Sequence, residues 1–430
     1  MGSSADSIGH ALWPTTVRER HPASDRFEEE QSVDIAIVGG GFAGCSAALA
    51  AAERGASVAL LEARTLGWGA SGRNGGQVIP GLKLDPSEME KEYGKDAGAK
   101  LAEAVGAAAD VVFSLIDKHA IDCAPRRGGW IQAAHAATAL ATVQRRCDQW
   151  AARGAPVEKL DAGAVSRLLG TSAYVGGWID RRAGTVHPLS YVFGLARAAQ
   201  AAGAKLHEGT PATSLLRDDN TWRILTPKGA IAARTVIVAT DAYSDHLVPG
   251  LAQSMILVQS AQVVTEPLSA PLRERLMPNG ICASETRQLA FYFRQSPDGR
   301  LMFGGRGAAG DNEQPAFTQA LIAAMHRMFP ETRSIPIAYR WSGQVGLTLD
   351  GIPRIHEPQR GLLIGFGYNG RGVAMATVMG QWLVQKALRG VEPPLPATEL
   401  TPIAWHRLRR PAIALGITWA WLRDRAGLAA

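Results

Sequence analysis

Cysteine is scarce in this chain: four residues among 430, at Cys45, Cys123, Cys147 and Cys282. No pair has C-x-x-C spacing and no histidine cluster accompanies them. That argues against a zinc module or a disulfide framework, gives no metal ligands, and points to a reducing compartment. Long apolar runs are also missing. Pro411 to Leu422 is the nearest candidate and falls short of the ~18–20 residues that a membrane-crossing helix needs. Arginines 407, 409, 410, 423 and 425 flank it. Residues 401–430 are therefore expected to form a C-terminal helical segment packed on its own domain, with an interfacial anchor or partner contact as the alternative. Residues 1–30 have no apolar stretch of the secretory kind and carry the run Glu28-Glu29-Glu30, so they read as a loosely held arm and the expected location is cytoplasmic. The net charge of +6 is too small an excess to mark a nucleic-acid binder. It suits a slightly basic enzyme surface or a funnel for an anionic substrate. Repeats and low-complexity tracts are lacking.

What is present is globular: 46% hydrophobic and 20% charged residues, in a chain long enough for about two or three domains. Apolar strands alternate with Ala-rich helical stretches, the α/β pattern. Strands are expected at Val33–Val38, Ser57–Leu61, Thr235–Thr240 and Gly361–Gly365, with helices at Gly44–Arg54 and Val373–Leu388. Gly128–Ala134 and Gln259–Thr265 also read as strands. Leu289–Arg294 and Arg300–Gly304 read as a hairpin around the Pro297-Asp298-Gly299 turn. These antiparallel signals predict an α+β substrate domain inserted twice into a discontinuous Rossmann-like domain. The expected division is residues 31–80, 146–247 and 338–400 for the nucleotide domain, and 81–145 and 248–337 for the substrate domain.

Gly39-Gly40-Gly41-Phe42-Ala43-Gly44 fits G-x-G-x-x-G, between an apolar strand and a helix. Glu62 ends the next strand 18 residues after Gly44. Each part has a mechanical reason. Gly39 permits the tight turn, Gly41 lets backbone approach a pyrophosphate, and Gly44 lets the helix pack closely on the sheet. The helix start, with Phe42 and Ala43, offers free N–H groups to an anion. Glu62 suits a ribose hydroxyl and repels a 2′-phosphate, so NADP is disfavoured. FAD and NAD remain open on this motif alone.

The next segment favours FAD. Glu62-Ala63-Arg64 leads into Gly67-Trp68-Gly69-Ala70-Ser71-Gly72-Arg73-Asn74-Gly75-Gly76-Gln77, a Gly-, Ser- and Asn-rich backbone suited to lie along a ribitol chain and ring edge. With this run the chain resembles the D-amino-acid-oxidase-type FAD oxidoreductases, in the branch that includes γ-glutamylputrescine oxidase. The resemblance spans roughly residues 31 to 410. It extends through Gly184–Pro188, Ala239–Tyr243, Thr265–Leu268, Tyr292–Arg294, Asp298–Arg300, Gly346–Asp350 and Gly367–Ala374. It implies a discontinuous FAD domain, a substrate domain on a large antiparallel sheet, and oxidation of a C–N bond by hydride transfer to flavin N5. The imine is then hydrolysed and oxygen reoxidises the flavin.

The resemblance also places Gly367, Tyr368, Asn369, Gly370, Arg371, Gly372 and Val373 under the flavin pyrimidine edge. A helix N-terminus there would stabilise the negative charge of the reduced ring. Ala212, Thr240, Gly343 and Gly346 complete the expected cofactor contacts. Relatives that attach FAD covalently use Cys or His. Gly343 occupies the aligned cysteine position and the 68–77 loop has no His, so non-covalent FAD is expected. For the substrate side, Tyr292 and Trp341 are candidate walls of an amine pocket, or ordinary core packing. Arg294 and Arg371 are candidates for an anionic substrate group, and Arg294 is equally readable as a surface ion pair. His187, before Pro188, is a catalytic candidate or a strand-end packing residue. The Lys that one branch places above the flavin for oxygen chemistry has no counterpart in Leu289–Arg294. Three readings follow: an oxidase for a small-molecule amine such as a γ-glutamylated polyamine, an amino-acid dehydrogenase delivering electrons to a quinone or carrier protein, and a flavin-binding subunit without turnover.

Overall fold

The computed structural model describes residues 11–27, 30–308 and 315–425. Two large sheets organise it. The first has nine strands. Its centre is parallel: Lys205–His207, Val58–Leu61, Glu30–Val38, Gly229–Val238 and Leu362–Phe366 lie side by side in that order. Ile35, Ala36, Ile37 and Val38 are buried on both faces of the sheet. That is why this strand reads as an unbroken apolar run rather than an alternating one. The helices Phe42–Ala52, Pro188–Ala201 and Gly372–Arg389 cover one face. Their approach is close because the contact residues are small: a Cβ on Gly380 would stand 2.3 Å from the Ala43 carbonyl oxygen. The antiparallel strands Ser214–Asp218 and Thr221–Thr226 and the strand Arg354–Gln359 extend the sheet.

The second sheet has eight strands in the order Ile337–Leu347, Ile256–Pro267, Arg300–Ala308, Phe291–Gln295, Cys282–Glu285, Trp130–Ala134, Gly176–Asp180 and Val157–Asp161. It is antiparallel except where Cys282–Glu285 runs parallel to Trp130–Ala134. Phe291–Gln295 and Arg300–Ala308 form the hairpin expected around Gly299, whose φ is +82°. Phe293, Phe303 and Phe329 fill the core on one side of this sheet.

The strand pairing corrects several sequence expectations. Val157–Asp161 and Gly176–Asp180, assigned to the nucleotide domain, pair into the second sheet, and so does Ile337–Leu347. Conversely, the helices Lys95–Gly106 and Ala108–Lys118 share the core of the nucleotide sheet's covering helices, through Leu101, Val105, Val112 and Ile116. Crossing points of this kind are set by long-range pairing, which local periodicity does not record.

Residues 11–27 are not a loose arm. Leu12 and Trp13 are wholly buried. The Trp13 indole donates to the Asn74 carbonyl at 2.9 Å, and the Asp25 carboxylate accepts from Leu206 N–H at 2.8 Å. The acidic residues Glu28 and Glu29 lie outside the described residues. At the other end the expected helix spans Arg409–Arg425. Its Asp424 carboxylate accepts the backbone N–H groups of Gln288 and Leu289 at 2.9 and 3.2 Å. Leu415, Trp419 and Leu422 on one face stay exposed. Among the described residues no helix is long and apolar enough to cross a membrane.

His187 is an N-cap rather than a catalytic group. Its Nδ1 accepts the Ser190 N–H at 3.1 Å at the start of Pro188–Ala201, and its Nε2 lies 3.1 Å from the Thr16 hydroxyl. An Nδ1 that accepts must be unprotonated, so Nε2–H donates to Thr16. Burial, then the nearby Arg294, push the His187 pKa down to about 4. The unfolded chain therefore takes up a proton between about pH 6.5 and 4 that the folded chain refuses, and stability is lost as pH falls through that window. His187→Asn keeps a capping side chain without the titration. The thermal midpoint of this variant is expected to fall less between pH 6.5 and 4 than that of the wild type. Parallel pH profiles would assign the acid sensitivity to another group.

Candidate active site

The strand Glu30–Val38 ends at Gly39, whose φ of +110° and 2.8 Å spacing from a built Cβ to the Ala239 carbonyl oxygen admit only glycine. The turn then enters the helix Phe42–Ala52. A Cβ on Gly44 would meet the Gly39 carbonyl oxygen at 1.8 Å, so this glycine holds the helix against the turn as the motif requires. Glu62 closes the other side. Its two carboxylate oxygens accept Gly40 N–H and Arg64 N–H, each at 2.8 Å. Burial raises its pKa, and the two backbone N–H groups oppose that shift. The 68–77 run reaches back to the same turn: Ser71 Oγ accepts the Phe42 N–H at 3.0 Å and supplies a cap that the helix lacks in its own sequence.

These segments open onto one cavity of about 590 Å³. Every cofactor residue expected from the sequence lines it, except Gly44, Gly76 and Gly367. Those three act one step behind the wall. Gly44 packs on the turn; Gly76, with φ +68°, would place a Cβ 2.2 Å from the Val186 carbonyl oxygen; and Gly367 donates its N–H to the Asp241 carboxylate at 2.7 Å. The loop Gly367–Arg371 leads into the helix Gly372–Arg389, which has no side-chain cap. Its first N–H groups thus remain available at the cavity wall.

Of the substrate-side candidates, only Tyr292 and Arg371 reach this cavity. The Tyr292 hydroxyl lies 2.7 Å from Ser260 Oγ. Trp341 is buried behind the wall, its indole donating to the Arg73 carbonyl at 2.8 Å; it holds the 73–77 loop instead of facing a substrate. Arg294 points to the far side of that loop. Its Nη1 donates to the Gly76 and Val186 carbonyls, both at 3.0 Å, so neither a substrate carboxylate in the cavity nor a surface ion pair engages it.

Sequence reasoning missed Lys83 and Arg306, which line the cavity beside Arg371, Trp130 and Gln132. Neither falls in a motif; Lys83 sits in an irregular stretch after the flavin loop and Arg306 near the end of a strand. Arg371 lies over the Trp130 ring and donates Nη1 to the Pro80 carbonyl at 2.5 Å. Among the described residues, no carboxylate forms an ion pair with Lys83, Arg306 or Arg371. Lys83 reaches into the cavity, so its side chain is accessible although protein encloses it. Burial, followed by the charges of Arg306, Arg371 and Arg146, sets its pKa well below the ordinary lysine value. Burial likewise lowers Arg371 to about 9. The nearby Glu285 carboxylate is already engaged by Arg287, by the Tyr174 hydroxyl at 2.9 Å and by Phe291 N–H at 3.2 Å. Asp241, also in the lining, is raised to about 6 by burial, against the pull of the Gly367 N–H.

The donor set fits an elongated dinucleotide. Two helix N-termini and a glycine turn face the cavity, and buried Arg73 Nη2 and Arg371 Nε have no hydrogen-bond partner. A group rich in acceptors satisfies such donors, whereas an apolar ligand leaves them unpaired. Residues 34–386 match the family model described as DAO, FAD dependent oxidoreductase, and the chain belongs to that family. Its cofactor is FAD, and it is an amine or amino-acid oxidoreductase. It is 32% identical over 410 residues to gamma-glutamylputrescine oxidoreductase of Escherichia coli (strain K12), covering 94% of this chain and 96% of that one. It is 30% identical to the probable oxidoreductase OrdL of Haemophilus influenzae, over 84% of each chain. Among solved structures, glycine oxidase from Geobacillus kaustophilus superposes with a TM-score of 0.71 at 22% identity, covering 86% of this chain and 99% of that one. The last comparison carries the fold.

Two tests follow from the cavity wall. Glu62→Gln keeps one acceptor oxygen and turns its NH2 group against either the Gly40 or the Arg64 N–H, and is expected to weaken FAD retention roughly 10- to 100-fold, since hydrogen bonds to charged groups are worth about 1.5–3 kcal/mol. Flavin fluorescence after dilution measures it; unchanged retention would remove Glu62 from the cofactor site. Among the described residues, no Cys or His lines the cavity. Acid precipitation is therefore expected to leave a colourless pellet, and a yellow one would show a covalent bond.

Proposed function

We propose that this enzyme oxidises the C–N bond of an amine that also carries a carboxylate, such as a γ-glutamylated polyamine, with oxygen as the electron acceptor. The observation that carries this reading is the recess formed by Lys83, Arg306 and Arg371 within the cofactor cavity. The Arg306 and Arg371 guanidiniums and the Lys83 amine, with no carboxylate partner among the described residues, disfavour one another's charge in a partly desolvated space. An anionic substrate end relieves that repulsion and gains charge-assisted hydrogen bonds. The name of the Escherichia coli relative, gamma-glutamylputrescine oxidoreductase, supports the same class of substrate.

The residues divide the work as follows. The turn Gly39–Gly44, Glu62 and Ala212 would hold the adenosine half of the FAD, and the loops 70–77 and 367–373 its other half. When bound, FAD supplies the two-electron acceptor for the carbon next to the amine. Arg306 and Arg371 anchor the substrate carboxylate and so fix the distance at which the amine lies. Tyr292, held by Ser260, presents a rigid aromatic wall at the cavity. No residue need enter as a nucleophile: orientation and exclusion of water are the contribution of the chain, and its electrostatics favour an uncharged amine beside a cationic wall.

One observation favours a second reading, a dehydrogenase for amino acids that passes electrons to a quinone or carrier protein. The helix Arg409–Arg425, with exposed Leu415, Trp419 and Leu422, is bonded to Gln288 and Leu289, next to the cavity residue Ala290. Stopped-flow reoxidation by oxygen and by a soluble quinone separates the two; fast oxygen reaction excludes the second. For the first, Arg306→Ala and Lys83→Met are each expected to raise KM about tenfold or more for an amine bearing a carboxylate, while leaving KM for its carboxylate-free analogue nearly unchanged. An equal rise for both amines would remove the recess from substrate recognition.

A further inference from the structure

A second cleft, of about 400 Å³, shares no lining residue with the cofactor cavity. Arg126, Arg273 and Arg294 line it, together with Thr185, Asn279 and Gln295. We propose that it is a binding site for a small oxyanion carrying at least two negative charges.

Arg294 carries the argument. It is 2% exposed, yet only its Nη1 is bonded, to the carbonyls of Gly76 and Val186. Its Nε is buried without a partner, and among the described residues Nη2 makes no hydrogen bond. Its guanidinium lies over the Trp13 ring, at 5.4 Å, which provides partial compensation only. A buried charge is normally paired, because its desolvation costs several kcal/mol. Here the nearby groups do not pair with it. Asp298 is taken by Arg300 Nε at 2.6 Å and Ser296 Oγ at 2.5 Å. His187 stays neutral above about pH 4. Arg126 adds a second positive charge and helps to lower the Arg294 pKa to about 10, behind burial as the larger cause. Arg126 and Arg273 are exposed, and neither forms an ion pair with a carboxylate among the described residues. Glu274 is the acid in the lining, one negative charge against three positive ones.

A multivalent oxyanion between the three guanidiniums completes this set. Its oxygens accept from Arg126 and Arg273 at the mouth and from Arg294 at the base, where planar N–H forks match carboxylate and phosphate geometry. The site lies back to back with the cofactor cavity: Arg294 holds the carbonyl of Gly76, whose neighbours Gly75 and Gln77 line that cavity.

The test is calorimetric titration of the FAD-loaded enzyme with citrate and with inorganic phosphate at constant ionic strength. The wild type is expected to bind at least one of them saturably at one site per chain. Citrate alone assigns a polycarboxylate, and phosphate alone a phosphate. The exposed double variant Arg126→Ala/Arg273→Ala leaves the buried Arg294 in place and so keeps the fold. It is expected to bind at least tenfold more weakly, with amine oxidation in the absence of added anion unchanged. Heats that do not saturate for either anion, or an affinity unaltered in the double variant, would overturn the proposal.

Discussion

The contact between Gly44 and the Gly39 carbonyl oxygen is the constraint from which the site is built. With no Cβ in the way, the helix Phe42–Ala52 lies against the turn that ends the strand Glu30–Val38, and its N-terminus is directed into the cavity. Helix and strand are then fixed by the parallel sheet on one side and by Gly372–Arg389 on the other, at a spacing that Gly380 allows. The second helix brings its own uncapped N-terminus to the same cavity. Two partial positive charges thus converge on one elongated space before any charged side chain is counted.

Side chains then couple this frame to the second sheet. Ser71 caps the first helix, the Gln262 amide and the Trp341 indole both hold the Arg73 carbonyl, and Arg294 holds Gly76. The loop 70–77 is consequently pinned from the nucleotide side by one hydroxyl and from the sheet side by three side chains. Such a loop is held rigid at the place where a cofactor and a substrate must be aligned to within a fraction of an ångström. Trp13 adds a fifth bond from the N-terminal segment, through Asn74, which anchors that polar stretch.

How much of this was legible in the sequence depended on the range of the interaction concerned. The glycine turn, Glu62, the 68–77 run and the 365–374 loop are local: each needs particular residue types at fixed spacing, so their convergence on one cavity was readable. The hairpin around Gly299 was readable for the same reason. The direction of Arg294 and the position of Trp341 behind the wall depend on strand register and on partners more than a hundred residues away, and spacing says nothing of those; the His187 cap on Ser190 N–H is local, but the Thr16 hydroxyl that holds the ring's other nitrogen is equally remote. Lys83 and Arg306 were invisible because neither has a distinctive neighbour; only the fold brings them beside Arg371. The N-terminal segment misled because its anchor is a single tryptophan within a polar stretch.

The proposed match between FAD chemistry and an amine with an anionic end can be read from the flavin itself. Anaerobic mixing of the FAD-loaded enzyme with paired amines, identical except for a terminal carboxylate, tests it most directly, with flavin absorbance as the readout. The carboxylated amine is expected to bleach the flavin, at half-saturating concentrations about tenfold or more below those of its uncharged analogue. Bleaching by both amines at the same concentrations, or by neither, would contradict it.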